Sequence, residues 1–212
     1  MKILTMLFAS SVLAMAGTPP VGSPSKNVRF SVREGDTFRN VSLKNYDGKI
    51  LVIMLMTPWC PICQSHSKAV GDGILDYYGS PDRGGLRGKN AKGVEIVSIL
   101  LSTEPAANWD PLSISFAPTN GFMSWGLDAK ADRSNPRTLL GYFRGGFIKS
   151  TNLYDWGDDR RRLVVINLVQ GSPNTSHREI LINTNSFSSA DAREARSVID
   201  RVRPARVVPS LF

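Results

Sequence analysis

A run without a polar residue, Leu51 to Met56 (Leu-Val-Ile-Met-Leu-Met), follows the polar turn Asp47-Gly48-Lys49. An uninterrupted apolar run of that length fits a strand buried on both faces, and so a central one. Val94 to Leu101 predicts a second buried strand. Between them, Pro61 to Tyr78 reads as a helix in which Gly71 and Gly73 each cost about 1 kcal/mol relative to alanine, predicting a kink or break there. A right-handed crossover makes the two strands parallel. Farther on, Arg162 to Val169 and Glu179 to Asn183 flank the turn Gly171-Ser172-Pro173-Asn174-Thr175, the pattern of an antiparallel hairpin. Ser188 and Asp191 form a capping-box pair, and Ala192, Ala195, Ile199 and Val202 share one face of a terminal helix ending near Pro204.

The remaining stretches are less regular. Val28, Phe30 and Val32 alternate with Arg29 and Ser31 as in an edge strand, and Val41-Ser42-Leu43 leads into the turn before the central run. Gly79 to Gly93 reads as a loop. Glu104 to Asp159 is irregular, with only Arg137 to Phe143 suggesting a helix. At the start, Lys2, the apolar stretch Ile3 to Ala14 and Ala14-Met15-Ala16 have the form of an export signal over residues 1–16, cleaved after Ala16. So short a stretch falls well below the ~20 residues that span a bilayer, so no stable membrane anchor is expected. Residues 17–27, rich in Pro, Gly and Ser, read as a flexible leader, and residues 28–212 as one domain.

Composition adds bounds. A chain of 212 residues with 42% hydrophobic content can bury a real core. The net charge of +8 is spread along the chain and falls on no nucleic-acid motif, so a solvated basic surface is expected and a nucleic-acid partner is not. The chemistry concentrates at its only two cysteines, Cys60 and Cys63, directly after the central run. Pro61 suits the first position of a helix, which places Cys60 at the helix N-terminus, where unpaired N–H groups and the macrodipole favour a negative sulfur. Cys63, nearly one turn on, would point inward and resolve a mixed disulfide formed at Cys60. A static disulfide across so short a loop saves little chain entropy, which favours a redox role.

These residues carry a family resemblance. With Val41-Ser42-Leu43, Tyr46-Asp47-Gly48-Lys49, the apolar strand and Thr57-Pro58-Trp59-Cys60-Pro61-Ile62-Cys63, the chain resembles exported thioredoxin-like redoxins of the TlpA-like group. The resemblance implies an α/β thioredoxin-like fold, a central mixed β-sheet flanked by helices, here with an irregular insertion before the C-terminal hairpin and helix. It implies a thiol-disulfide oxidoreductase with no cofactor, periplasmic or secreted, whose partners are protein thiols and disulfides and a further redox protein. Cys60 would be the exposed nucleophile and Cys63 the resolving thiol, supported by Trp59, Pro61 and Thr57, with Trp59 shielding the pair.

Two positions depart from the family pattern. Met54 stands where relatives commonly carry a polar or acidic proton acceptor, and no proline precedes Leu163, where relatives have a cis-proline facing the cysteines. Arg162, or Arg161 if the strand begins earlier, becomes the candidate for that place, where its charge would stabilise the Cys60 thiolate. Other readings stay open. Cys60, Cys63 and His66 have a Cys-x-x-Cys-x-x-His spacing with donors suited to Cu(I), as in copper-delivery redoxins of the Sco type, although those space their cysteines wider and bring a remote histidine, here His177. A histidine isolated on a helix is more often solvated. Thr57-x-x-Cys60 also resembles peroxiredoxins, but Ile53 stands where those carry a proline. A thioredoxin-fold interaction module without redox chemistry is the remaining alternative.

Overall fold

A computed structural model describes residues 19–57, 60–79, 88–102, 116–128, 142–143 and 161–204. The signal over residues 1–16, Pro58 and Trp59, most of the 79–93 loop, nearly all of the helix suggested at Arg137 to Phe143, and Asp158 to Arg160 lie outside these. Among the described residues seven strands form one mixed sheet: β1 (Arg29–Glu34), β2 (Thr37–Ser42), β3 (Ile50–Met56), β4 (Ile96–Ser102), β5 (Ser124–Leu127), β6 (Arg162–Asn167) and β7 (Ile180–Thr184), in the order β2-β1-β5-β4-β3-β6-β7. β3 is central, parallel to β4 and antiparallel to β6, and every residue in it is buried. This is the α/β thioredoxin-like fold with additional strands.

The strand period divides the core into two layers. Val52, Met54 and Met56 of β3, with Leu163 and Val165 of β6, face the helices, while Leu51, Ile53 and Leu55, with Val164 and Ile166, face the opposite layer around Phe30, Leu43 and Phe143. The helical layer holds α1 (Pro61–Val70), which passes through a π-helical stretch, Gly71–Leu75, into α2 (Asp76–Gly79). The irregularity expected at the glycines is thus a local change of winding and not a break. Gly71 is also a close-approach site, since a Cβ there would collide with the Asn120 carbonyl oxygen. The terminal helix α3 (Ala192–Ile199) follows the expected capping pair, Asp191 accepting from both the N–H and the hydroxyl of Ser188. It stops before Pro204, where Asn90 donates to the carbonyls of Ile199 and Val202 and satisfies its open end.

Three expectations are corrected. β1 is an interior strand, flanked by β2 and β5. The segment expected to be irregular contributes β5 to the sheet beside β4. The leader is tied down from Pro19 onward: Gly22 N–H donates to Ile180 O at 2.8 Å, Ile180 N–H to Ser23 O at 2.9 Å and Ser25 N–H to Arg178 O at 2.7 Å. Its main chain supplies the partners that β7 would otherwise leave open at the sheet edge, which outweighs its lack of apolar side chains. Among the described residues no helix is long and apolar enough to cross a membrane.

Candidate active site

At the carboxyl end of β3 the chain turns into α1, and the two cysteines stand at that junction. Cys60 is the N-cap of α1 and Pro61 its first residue, so the missing proline N–H costs no hydrogen bond. The Cys60 N–H donates to the Thr57 carbonyl at 3.1 Å, closing the turn, and Cys60 Sγ accepts from the Cys63 N–H at 3.4 Å. The sulfur itself therefore caps the helix. Both cysteines are free thiols. Cys60 is more enclosed than an exposed nucleophile would be, at 8% exposure, but Cys63 beneath it is wholly sealed at 0%. Ile62, between them, is largely exposed and gives the rim an apolar side chain.

Burial, and then a side-chain hydrogen bond with Cys60, push the Cys63 thiol up to about 12, while a main-chain hydrogen bond from Thr57 and the Arg161 charge pull it partly back. Thr57, itself fully buried, thus touches both cysteines. Met54 lies in the same layer and offers no carboxylate.

The candidate arginines separate. Arg162 pairs across the sheet with Leu55, and strand alternation carries its side chain to the layer away from the cysteines, where it donates to Asn183 Oδ1 at 2.8 Å. Arg161, one residue earlier, sits at the sheet end where β3 meets the cysteine turn. It donates to the Asn185 carbonyl at 2.9 Å, and its charge reaches both Cys63 and His66. Among the described residues no peptide bond is cis.

His66 is not a solvated helix histidine. Cys63, His66, Ser67 and Val70 form the buried stripe of α1 at i, i+3, i+4 and i+7 spacing, and His66 is only 4% exposed. That spacing was the available signal, obscured by polar neighbours Gln64, Ser65 and Lys68. The imidazole stacks on Phe187 with ring centroids 6.1 Å apart, and neither ring nitrogen has a hydrogen-bond partner. Burial, reinforced by the Arg161 charge and opposed by Asp191, lowers it to about 4. His177 lies elsewhere, with Nε2 3.3 Å from Asp47 Oδ1. Among the described residues no three His, Cys, Asp or Glu side chains come together in a metal-ligating group, so Cys60, Cys63 and His66 are not assembled as one.

A pH effect on stability follows. An unfolded-chain histidine titrates near ~6.5, so on acidification the unfolded state takes up a proton that the folded state refuses until about pH 4. Stability present above about pH 6.5 is therefore lost as the pH falls toward 4, by an amount on the order of 3 kcal/mol. Urea unfolding of wild type and His66→Phe should give curves that diverge across this window, with the variant less sensitive to acid. Parallel curves would contradict a buried neutral imidazole.

No family model matches the sequence, and no curated protein matches it. Solved structures do match. A candidate protein disulfide isomerase from Bacteroides thetaiotaomicron is 14% identical, with a TM-score of 0.52 over 90% of this chain and 94% of that one. The thioredoxin domain of a Bacteroides vulgatus thiol-disulfide oxidoreductase is 13% identical, with a TM-score of 0.51 over 85% of this chain and 99% of its own. A thiol:disulfide interchange protein from a Bacteroides species is 11% identical, with a TM-score of 0.50 over 86% and 92%. At such identity the likeness establishes the thioredoxin-like fold.

Proposed function

We propose that this protein is a thiol-disulfide oxidoreductase of the exported, TlpA-like kind, in which Cys60 exchanges disulfides with protein substrates and Cys63 completes each cycle. The observation that carries this reading is the pairing at the start of α1: a rim sulfur that caps the helix, hydrogen-bonded to a second thiol sealed directly beneath it. A capping sulfur gains most from the helix terminus as an anion, the form that attacks disulfides, and the inner thiol is in reach of any mixed disulfide formed there. The names of two structural neighbours, an oxidoreductase and an interchange protein, agree with this chemistry. Residues 1–16 would direct export to the periplasm or medium and be removed, leaving one thioredoxin-like domain whose partners are protein thiols and disulfides outside the cytoplasm and a redox protein that resets the pair. Trp59, Pro61 and Thr57 would frame the sulfurs, and Arg161 would supply the positive charge beside them, favouring acidic segments of substrate.

Alkylation of the reduced, folded protein near neutral pH tests the assignment of roles. Iodoacetamide should modify Cys60 and leave Cys63 intact until the protein is unfolded. Equal modification of both, or of neither, would contradict it.

A further inference from the structure

We infer that His66 takes the proton from Cys63 as Cys63 attacks the mixed disulfide, so that the resolving step is driven by an imidazole buried in the helix face behind the cysteines. This rests on the redox reading of Cys60 and Cys63. To resolve, Cys63 must lose its proton, and its sulfur is fully buried, so a base from bulk water meets it poorly. Of the groups that act on it, Cys60 opposes its anion and is itself tied up in the mixed disulfide, while the Thr57 main-chain hydrogen bond and the Arg161 guanidinium favour the anion but cannot accept its proton. Ser67, next on the buried stripe, already donates to the Cys63 carbonyl at 2.9 Å.

His66 lies three residues after Cys63 on the same buried face, a spacing that sets Cβ atoms about 5–6 Å apart, and since neither ring nitrogen has a partner in the resting dithiol, the hydrogen bond to the thiol would form as Cys63 turns toward the mixed disulfide. A neutral imidazole has an acceptor nitrogen in either tautomer. Here both nitrogens are unpartnered, which costs about 1–3 kcal/mol per buried group and calls for an explanation beyond packing, since a phenylalanine would stack on Phe187 without that cost. Among the described residues the charged groups acting on the ring are Arg161 and, from the start of α3, Asp191; with burial they leave the imidazole unprotonated at neutral pH but also a weak base toward a thiol raised to about 12, so the transfer is one concerted with S–S bond formation.

The step balances as follows. Cys63 S–H gives its proton to His66 as its sulfur bonds to Cys60 Sγ. The bond from Cys60 to the substrate sulfur breaks, and the substrate thiolate leaves with the electron pair. The imidazolium then returns its proton to solvent or to the departing thiolate. The cysteine pair is oxidised and the substrate reduced. Transfer concerted with bond formation avoids populating a free Cys63 thiolate.

Stopped-flow reaction of the reduced protein with dithiobis-nitrobenzoate reads both steps, because Cys60 attack releases a first coloured thiolate and Cys63 resolution a second. In His66→Phe and His66→Gln the first release should match wild type within about twofold, while the second slows on the order of 100-fold near neutral pH. The pH profile separates this from a packing role: wild type should be nearly flat between about pH 5 and 8, whereas both variants climb about tenfold per unit as hydroxide replaces the base. A second phase unchanged in either folded variant, or slowed with its profile intact, would overturn the inference. Absence of the first release in wild type would instead overturn the redox reading, and this inference with it.

Discussion

Cys60→Ser should lose disulfide exchange by a factor on the order of 10³ or more, while Cys63→Ser should still attack and then stall. The asymmetry follows from burial and capping. Only Cys60 combines solvent contact with a position at the helix terminus, whereas Cys63 is covered on all sides. Removing Cys60 therefore leaves a thiol that substrates cannot approach. Removing Cys63 leaves the attacking sulfur in place but deletes the group that would expel the substrate, and a serine hydroxyl cannot do so. Incubated with oxidised glutathione, Cys63→Ser should accumulate a stable glutathione adduct on Cys60, wild type should pass to an internal disulfide, and Cys60→Ser should form neither. Intact-protein mass spectrometry distinguishes the three. An adduct on Cys63 in the Cys60→Ser protein would reverse the roles assigned to the two sulfurs.

Gly126→Ala should be among the most destabilising single substitutions, by roughly 3–5 kcal/mol. Gly126 stands in β5, between β4 and β1, where an added Cβ would collide with the Ser31 carbonyl oxygen and lie 2.9 Å from the Ser31 carbonyl carbon and 3.0 Å from Val32 Cα. All three are backbone atoms, so no side-chain rotation relieves the clash, and β1 with its partner β2 would have to move away from the rest of the sheet. Against a total stability of ~5–15 kcal/mol the loss is severe. Gly79 is the control, since nothing lies within 4 Å of a Cβ built there, and Gly79→Ala should change stability by no more than about 0.5 kcal/mol. Urea unfolding of both variants measures this, and a Gly126→Ala midpoint close to that of wild type would contradict the tight β1–β5 contact.

The sequence was most legible where one physical rule dominated. Leu51 to Met56 could only be a strand covered on both faces, and β3 is that strand. Pro61 marked the start of α1, and Gly71 and Gly73 marked the π-helical stretch that follows it. β5 was hidden because its four residues, Ser-Trp-Gly-Leu, are too few to show alternation and include a glycine whose role is to admit a neighbouring backbone. The leader was hidden for a different reason. Its composition promised nothing to bury, but it is held by main-chain hydrogen bonds to β7, which composition does not record. For Arg161 and Arg162 the register decided: alternation from Leu163, on the helical side, sends Arg162 away from the cysteines and leaves Arg161 beside them. His66 was misread because its immediate neighbours are polar, and its burial depends on Phe187, more than a hundred residues later in the chain.

The most direct test of the account is an equilibrium redox titration of the Cys60 and Cys63 pair. The purified protein, equilibrated in graded dithiothreitol or glutathione buffers, quenched with acid and weighed intact, should pass reversibly between a dithiol and a form lighter by two hydrogens, with the slope of a two-electron couple. Peptide mapping should place the new bond between Cys60 and Cys63. A protein whose two thiols form no mutual disulfide at any poise, or form one that no thiol buffer reduces while the domain stays folded, would contradict the reading of this pair as a redox centre.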